Sequence, residues 1–195
     1  GPGRVGNQAY EHFQHDSYGN VVLGAAQAFL DRRLLHPPGL SEFELLERAG
    51  LQAIHLHDKP DAGMWELRYS AKVHTTSSLM SWAACDRLSR IARHLGLPDR
   101  HAFWRRQADE IRETILRRAW SQDRRAFVDS FEGSNLDAGV LLMAEIGFID
   151  PLDPRFVSTL KAVEEVLGRG PFMMRYEAAD DFGVPDTAFN ICAFW

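Results

Sequence analysis

The sequence lacks the features that mark several specialised protein classes. Only two cysteines occur in 195 residues, too few for a disulfide framework. No apolar run approaches the roughly 18 residues of a membrane helix, and no basic-then-apolar signal opens the chain. Acidic residues outnumber basic ones, 27 to 22, which disfavours a nucleic-acid partner. We therefore expect a globular protein in the cytoplasm that binds neither membrane nor nucleic acid.

Period-two alternation is also scarce, whereas helical periodicity covers almost every long segment. This pattern predicts an all-α fold of about seven helices at 7–35, 42–57, 74–95, 99–119, 136–146, 153–168 and 186–195. Asp153-Pro154 and Ser41 are helix-start signals, and Gly96 is a helix-end signal. Residues 126–131 and 172–176 could form short strands.

The predicted helices alternate in character along the chain. The second, fourth and sixth are charged and amphipathic, whereas the others carry long apolar stretches such as 20–30 and 136–146. Helices that are apolar on most faces are buried between neighbours. Inner helices alternating with outer ones predict an α/α barrel (α/α toroid), and seven helices are enough for only part of it.

Short connections (36–41, 96–98 and 147–152) alternate with long ones (58–73, 120–135 and 169–185). Because consecutive antiparallel helices put alternate loops at opposite ends, the three long loops share one end with the start of the first helix. Long loops on a helical scaffold usually carry function. We therefore expect the functional site at that end.

The first long loop brings together Asp61, Trp65, Glu66, Arg68 and Tyr69. A carboxyl group beside an indole in a partly apolar loop suits a general acid, and neighbouring aromatic rings suit the faces of sugars. The competing interpretation is a solvated turn whose tryptophan packs on the rim.

The third long loop holds Arg175, Tyr176, Glu177 and Asp180 and leads to Asp186. Two carboxylates at one mouth, such as those of Glu66 and Asp186, are the minimum requirement for glycoside hydrolysis. Asp186 would also suit the N-cap of the last helix, so both interpretations stay open.

The remaining reactive residues have simpler interpretations. Cys85 and Cys192 lie among apolar residues at helical spacing, which predicts reduced thiols in the core. His55 and His57 would point apart on a helix, so we expect no metal site. The sequence contains no cofactor-binding motif.

Several blocks of the sequence occur in the order of a known set of motifs. Asp61-Ala-Gly-Met-Trp-Glu66-Leu-Arg68 resembles the signature D-x-G-x-W-E-x-R of glycoside hydrolase family 15, which holds glucoamylases, glucodextranases and prokaryotic trehalases. The segment Arg4-Val-Gly-Asn-Gln-Ala resembles R-V-G-N-x-A, and 14–19 resembles Q-x-D-x-Y-G. Arg175-Tyr176 and the closing block 187–195 resemble later family motifs. The resemblance extends over essentially the whole chain.

This resemblance implies an (α/α)6 barrel and an inverting, exo-acting α-glucoside hydrolase without a cofactor. It would release β-glucose from an α-linked oligosaccharide or disaccharide. Glu66 falls on the general acid, and Asp186 stands where the family has a glutamate base; Glu177 is the reserve candidate. The resemblance gives the sugar-binding role to Asp16, Tyr18, Trp65, Arg68, Arg175 and Tyr176.

The resemblance also predicts the domain organisation. Residues 1–195 are expected to form the C-terminal part of one barrel domain, without the family's N-terminal β-sandwich and first helices. Exposed inner-helix faces would then favour self-association. Because aspartate is one methylene shorter than glutamate, the alternative function is a catalytically impaired sugar-binding or scaffolding α/α domain.

Overall fold

The computed structural model describes residues 12–31, 33, 36–67, 71–180 and 182–195. The helices are α1 (Asp16–Leu30), α2 (Leu40–Leu56), α3 (Thr75–His94), α4 (Pro98–Arg118), α5 (Leu142–Glu145) and α6 (Pro154–Leu167), with 3-10 helices at Ala138–Leu141 and Asn190–Phe194. Two antiparallel hairpins pair β1 (Trp120–Ser121) with β2 (Ala126–Phe127) and β3 (Gly168–Arg169) with β4 (Phe172–Met173). Among these residues, no helix is long and apolar enough to cross a membrane.

Helix α3 is the centre of the fold, with 16 of its 20 residues buried. Glycines let its neighbours approach closely: a Cβ on Gly19 of α1 would lie 2.2 Å from the Met80 carbonyl oxygen, and one on Gly50 of α2 would meet the Leu88 side chain. The hydroxyls of its four buried serines all have hydrogen-bond partners: that of Ser81 donates to the Ser77 carbonyl at 3.1 Å within the helix, and the other three contact residues outside it. Small, hydrogen-bonded serines thus help an inner helix to be packed on all sides.

The predicted alternation of inner and outer helices is confirmed for most of the chain. Helices α2, α4 and α6 each bury a single stripe; in α4 it is formed by Trp104, Ala108, Ile111 and Ile115. Helix α1, predicted to be an inner helix, buries only one face, and Val21 on its other side is 57% exposed.

Two helix boundaries follow the sequence signals. The Asp153 carboxylate accepts the Arg155 backbone N–H at 2.8 Å and Pro154 begins α6. Gly96, at φ +71°, ends α3, and the Leu97 N–H returns to the Ala92 carbonyl. Helix α2 starts earlier than predicted, because Gly39 and not Ser41 is its N-cap.

The predicted helix from 186 onward is wrong. Only the 3-10 helix Asn190–Phe194 forms there, because the Phe189 N–H donates to the Met173 carbonyl of β4 at 2.9 Å and holds the preceding segment extended. The helix predicted at 136–146 is shorter and begins as a 3-10 turn. Both cysteines are buried free thiols, as predicted.

The three long loops and the entrance to α1 meet at one end, as predicted. Isolated β-bridges join His74 to Ser130 and Asp137 to Tyr176. The Ala62 N–H donates to the Phe13 carbonyl, so the segment ahead of α1 pairs with the first long loop. This pairing is the reason that α1 begins only at Asp16; residues 1–11 lie outside the described part of the chain.

Candidate active site

Glu66 stands on a tight backbone turn at the edge of a cavity. Its φ is +55°, a left-handed conformation uncommon outside glycine and associated with functional sites. The turn is closed by the Leu67 N–H donating to the Ala62 carbonyl at 3.0 Å. Gly63, at φ +66°, lies against the His74 ring, where a Cβ would come within 2.8 Å of its carbon atoms. The turn therefore presents the exposed Glu66 carboxylate at the mouth of the cavity.

Trp65, the preceding residue, is the centre of an aromatic cluster. Its ring centroid lies 5.9 Å from those of Tyr176 and Phe189 and 6.2 Å from that of Trp195. The Arg175 guanidinium lies 5.8 Å from the Trp65 ring centroid. The indole N–H points away from these aromatic rings and donates to the Asp137 carboxylate at 2.8 Å.

The opposite wall comes from the third long loop. The Tyr176 hydroxyl donates to the Asp180 carboxylate at 2.7 Å, and an Arg175 guanidinium nitrogen lies 3.9 Å from that same oxygen. Donation from Tyr176 and from the Phe182 N–H holds the pKa of Asp180 below its usual value. Burial, followed by the hydrogen bond to Asp180, raises the pKa of Tyr176. Asp180 is therefore a fixed anion beside the arginine.

Two adjacent cavities meet at this wall. The first has a volume of about 160 Å³ and is lined by Trp65, Glu66, Leu67, Arg175, Tyr176, Asp180 and Phe182. The second, of about 230 Å³, shares Leu67, Tyr176 and Asp180 with it and extends to Lys72, His74, Asp129, Asn135, Asp137 and Ala178–Ala179. The first cavity combines a carboxylate, a cation and aromatic faces, which can bind and protonate a polyhydroxyl ligand.

Four of the predicted site residues thus come together: Trp65, Glu66, Arg175 and Tyr176. Asp186 is exposed, accepts a hydrogen bond from its neighbour Thr187 at 3.0 Å and is not among the described residues that line this cavity. Its alternative interpretation as a helix N-cap is wrong, because no α-helix follows it.

The reserve candidate, Glu177, is occupied in a structural contact. One Arg124 guanidinium nitrogen donates to both of its carboxylate oxygens, at 2.8 and 3.0 Å. The Leu136 backbone N–H donates to one of those oxygens at 2.8 Å. Both carboxylate oxygens of Glu177 are therefore committed to contacts within the protein.

Asp16 and Tyr18, the predicted site residues at the start of α1, are less exposed than Glu66. Asp16 is 8% exposed and accepts from the Asn20 side-chain amide at 3.0 Å. Burial, and next the Asp61 carboxylate, raise its pKa. Tyr18 is half-buried and packs against the core. The predictions for Arg68 and for Arg4 fall outside the described residues.

Sequence reasoning missed Asp137. It is 5% exposed and its second oxygen accepts the Gly139 N–H at 2.7 Å, so that it caps the 3-10 helix. Burial raises its pKa to about 7, although the hydrogen bonds from Gly139 and Trp65 act in the opposite direction. An aspartate just ahead of an apolar run could have been identified as a cap; its contact with Trp65, 72 residues away, could not.

Among the described residues, no group of three or more His, Cys, Asp or Glu side chains could hold a metal ion. The acids at this site are dispersed among separate partners: Asp137 with Trp65, Asp180 with Tyr176, and Glu177 with Arg124. The functional groups described at this end are carboxyl groups, the Arg175 guanidinium, and Lys72 and His74 of the second cavity.

Comparison with known proteins gives a family and a fold. The sequence model of glycosyl hydrolases family 15 matches residues 1–195. The trehalase of Mycobacterium tuberculosis is 32% identical over 202 residues, which cover 100% of this chain and 28% of that protein. The trehalase of Thermoplasma volcanium is 30% identical over 200 residues, covering 100% and 31%. The chain thus spans less than a third of the length of these relatives.

The structural likeness is to part of an (α/α)6 barrel. A glycosidase variant in complex with glucose superposes with a TM-score of 0.74 at 18% identity, covering 90% of this chain and 46% of that one. A bacterial glucoamylase complexed with acarbose gives a TM-score of 0.63 at 11% identity, covering 92% and 30%. At these identities the likeness is one of fold.

Proposed function

This chain belongs to glycosyl hydrolase family 15, and we propose that the protein carrying it is an inverting, exo-acting α-glucoside hydrolase with Glu66 as its general acid. The observation that carries the proposal is the position of Glu66 on a left-handed turn, at the rim of a cavity that it shares with Trp65, Arg175 and Tyr176. In this proposal the described residues form part of a single α/α-barrel catalytic domain.

In the proposed reaction Glu66 gives its proton to the glycosidic oxygen as the bond from that oxygen to C1 breaks. A water attacks C1 from the opposite face, so that β-glucose is released, and the water's proton passes to a carboxylate base. Trp65 offers an aromatic face to the sugar and Arg175 donates to its hydroxyls, whereas Tyr176, whose O–H is given to Asp180, contributes its ring and an acceptor oxygen. The anionic Asp180 holds the Arg175 and Tyr176 side chains in place.

We propose Asp186 as the base in preference to Glu177. The Asp186 carboxylate is exposed and accepts a hydrogen bond from the neutral Thr187 hydroxyl, whereas Glu177 is bound by Arg124. In inverting enzymes the two carboxyl groups stand roughly 6.5–9.5 Å apart with the water between them. The aspartate side chain is about 1.5 Å shorter than that of glutamate. The attacking water must therefore lie closer to the Asp186 backbone than it would to the backbone of a glutamate.

As substrate we propose trehalose or a small α-glucoside ahead of starch-like chains. The support comes from the trehalases at 30% and 32% identity. The cytoplasmic location remains a prediction, which rests on the two reduced cysteines.

The test is proton NMR of the full-length protein that carries this chain, incubated separately with trehalose, maltotriose and isomaltose. From maltotriose and isomaltose we expect β-glucose above its equilibrium share. From trehalose we expect α- and β-glucose in equal amounts, because only one anomeric carbon is inverted and the leaving glucose keeps its α configuration. Release should be lost in Glu66→Gln, whereas Glu113→Gln, an exposed change on α4, is the matched control and should retain full activity. Release of α-glucose alone, or full activity in Glu66→Gln, would contradict the proposal.

The alternative is a sugar-binding or scaffolding domain without turnover, and it is favoured by the absence of Asp186 from the described residues that line the Glu66 cavity. Asp186→Glu separates the two functions. A rate gain of up to about 100-fold would reveal a working site with a short base. Sugar binding without turnover in either form would favour the binding domain.

A further inference from the structure

Trp65 is oriented by one polar contact. Its ring packs against Tyr176, Phe189 and Trp195 at interplanar angles of 58°, 80° and 41°, a mixture of tilted and edge-on contacts that does not favour one geometry. The hydrogen bond from its N–H to the Asp137 carboxyl group, at 2.8 Å, is directional. That bond therefore selects one ring orientation among the several that packing would accept.

Asp137 is itself held rigidly. Its backbone is bridged to Tyr176, the Ala138 N–H donates to the Arg175 carbonyl at 2.8 Å, and the Glu177 N–H donates to the Leu136 carbonyl at 3.2 Å. Its other carboxylate oxygen is fixed by the Gly139 N–H at 2.7 Å. Asp137 is thus a stationary acceptor, anchored in the same strand pairing that carries Arg175 and Tyr176.

The contact joins the two walls of the cavity. Trp65 is adjacent to Glu66 on the first long loop, whereas Asp137 is paired with the segment that carries Arg175. A displacement of either loop relative to the other would stretch the bond from the Trp65 indole to Asp137. The separation between the Glu66 carboxyl and the arginine wall is therefore coupled to this bond.

We propose that Asp137 is a positioning residue of the Glu66 site, which acts through the Trp65 indole to fix the turn that presents Glu66. The inference rests on the proposed function for its kinetic consequence but not for its structural one. Asp137 does not line the Glu66 cavity, so it acts without contacting the reacting atoms.

A double-mutant cycle on the full-length protein tests this role. Asp137→Asn can still accept the Gly139 N–H but then turns an amide NH₂ toward the indole, and Trp65→Phe keeps a ring but removes the N–H. We expect each single variant to lower kcat on the order of tenfold with a smaller change in KM, and the double variant to lose no more than either single one. Additive losses, or an unchanged kcat in Asp137→Asn, would overturn the proposal.

A second readout does not depend on activity. In ¹⁵N-tryptophan spectra, the Trp65 indole signal is identified by its absence in Trp65→Phe. We expect it to shift in Asp137→Asn and to stay in place in the control Asp150→Asn, an exposed change in the α5–α6 connection. An unshifted signal would overturn the positioning role. If the signal shifts in Asp137→Asn but Glu66→Gln leaves the turnover rate unchanged, the contact between Trp65 and Asp137 is supported and only the proposed function is rejected.

Discussion

Buried acids at the two ends of α3 differ in the charge of their hydrogen-bond partners. In the C-terminal half, Asp86 is 3% exposed and is bound by three cations: Arg87, Arg90 at 2.8 Å and Arg105 at 2.9 Å. Near the N-terminal end, Asp137 is 5% exposed and receives only neutral donors, the Trp65 indole and the Gly139 N–H.

The difference shows which end is built for stability. Arginines compensate the desolvation of Asp86, so it is a fixed ion that ties α3 to α4. Neutral donors compensate only part of the desolvation of Asp137, and its pKa rises to about 7. The pKa of Asp16 at this same end is also raised by burial. Acids with perturbed pKa values concentrate at functional sites, and the two carboxyl groups whose pKa burial raises, those of Asp16 and Asp137, both lie where the long loops meet.

The largest effect should come from breaking the Asp86 cluster. Asp86→Asn leaves three arginines without their shared anion and should lower the free energy of unfolding by about 2 to 3 kcal/mol in urea denaturation. The arginines are partly exposed, which limits the loss. Asp109→Asn removes an exposed partner of Arg105 and should change stability by less than about 0.5 kcal/mol. Equal losses in both variants would show that the buried Asp86 cluster contributes no more stability than an exposed ion pair.

The second effect is a pH dependence at the other end. Between the unfolded pKa of about 3.9 and the folded value of about 7, folded Asp137 binds more protons than the unfolded chain does. The free energy of unfolding therefore falls as pH rises through this window, by up to about 1.4 kcal/mol per unit.

Urea denaturation at pH 5, 6, 7 and 8 measures this slope. Asp137→Asn cannot titrate, so its stability should rise relative to that of the unchanged protein as pH increases. Other ionisable groups that line the cavity with Asp137, namely those of Lys72, His74, Asp129 and Asp180, remain in both proteins. Curves that run parallel would show that Asp137 does not titrate in this range.

The smallest effect concerns a third kind of acid, the helix cap Asp153. The Arg155 backbone N–H holds its pKa below the usual value. Asp153→Ala should lower stability by about 1 kcal/mol at pH 7. This difference should shrink as pH falls through the lowered pKa, because the protonated cap is a weaker acceptor. A loss that is unchanged at pH 3 would show that the carboxylate charge is irrelevant to the cap.

The local part of the fold could be predicted from the sequence. The period of the apolar residues marks α2, α3, α4 and α6, Asp153-Pro154 marks a helix start, and Gly96 marks an end, because these signals act over a few residues. The segment after Asp186 was predicted as a helix and is not one, because its apolar run also suits the pairing of Phe189 with Met173. The local pattern of apolar residues cannot distinguish a buried helix from a segment paired with β4.

The candidate site likewise has features that the sequence predicts and features that only the tertiary structure sets. The sequence by itself determined the residue types, the order of the loops and the end of the molecule at which Glu66 and Arg175 lie, since helix parity places alternate loops together. Only the tertiary structure decided how each acid is used: Glu177 is bound to Arg124, and Asp137 holds Trp65. The physical reason is that charge, burial and hydrogen bonding at an acid come from residues remote in sequence.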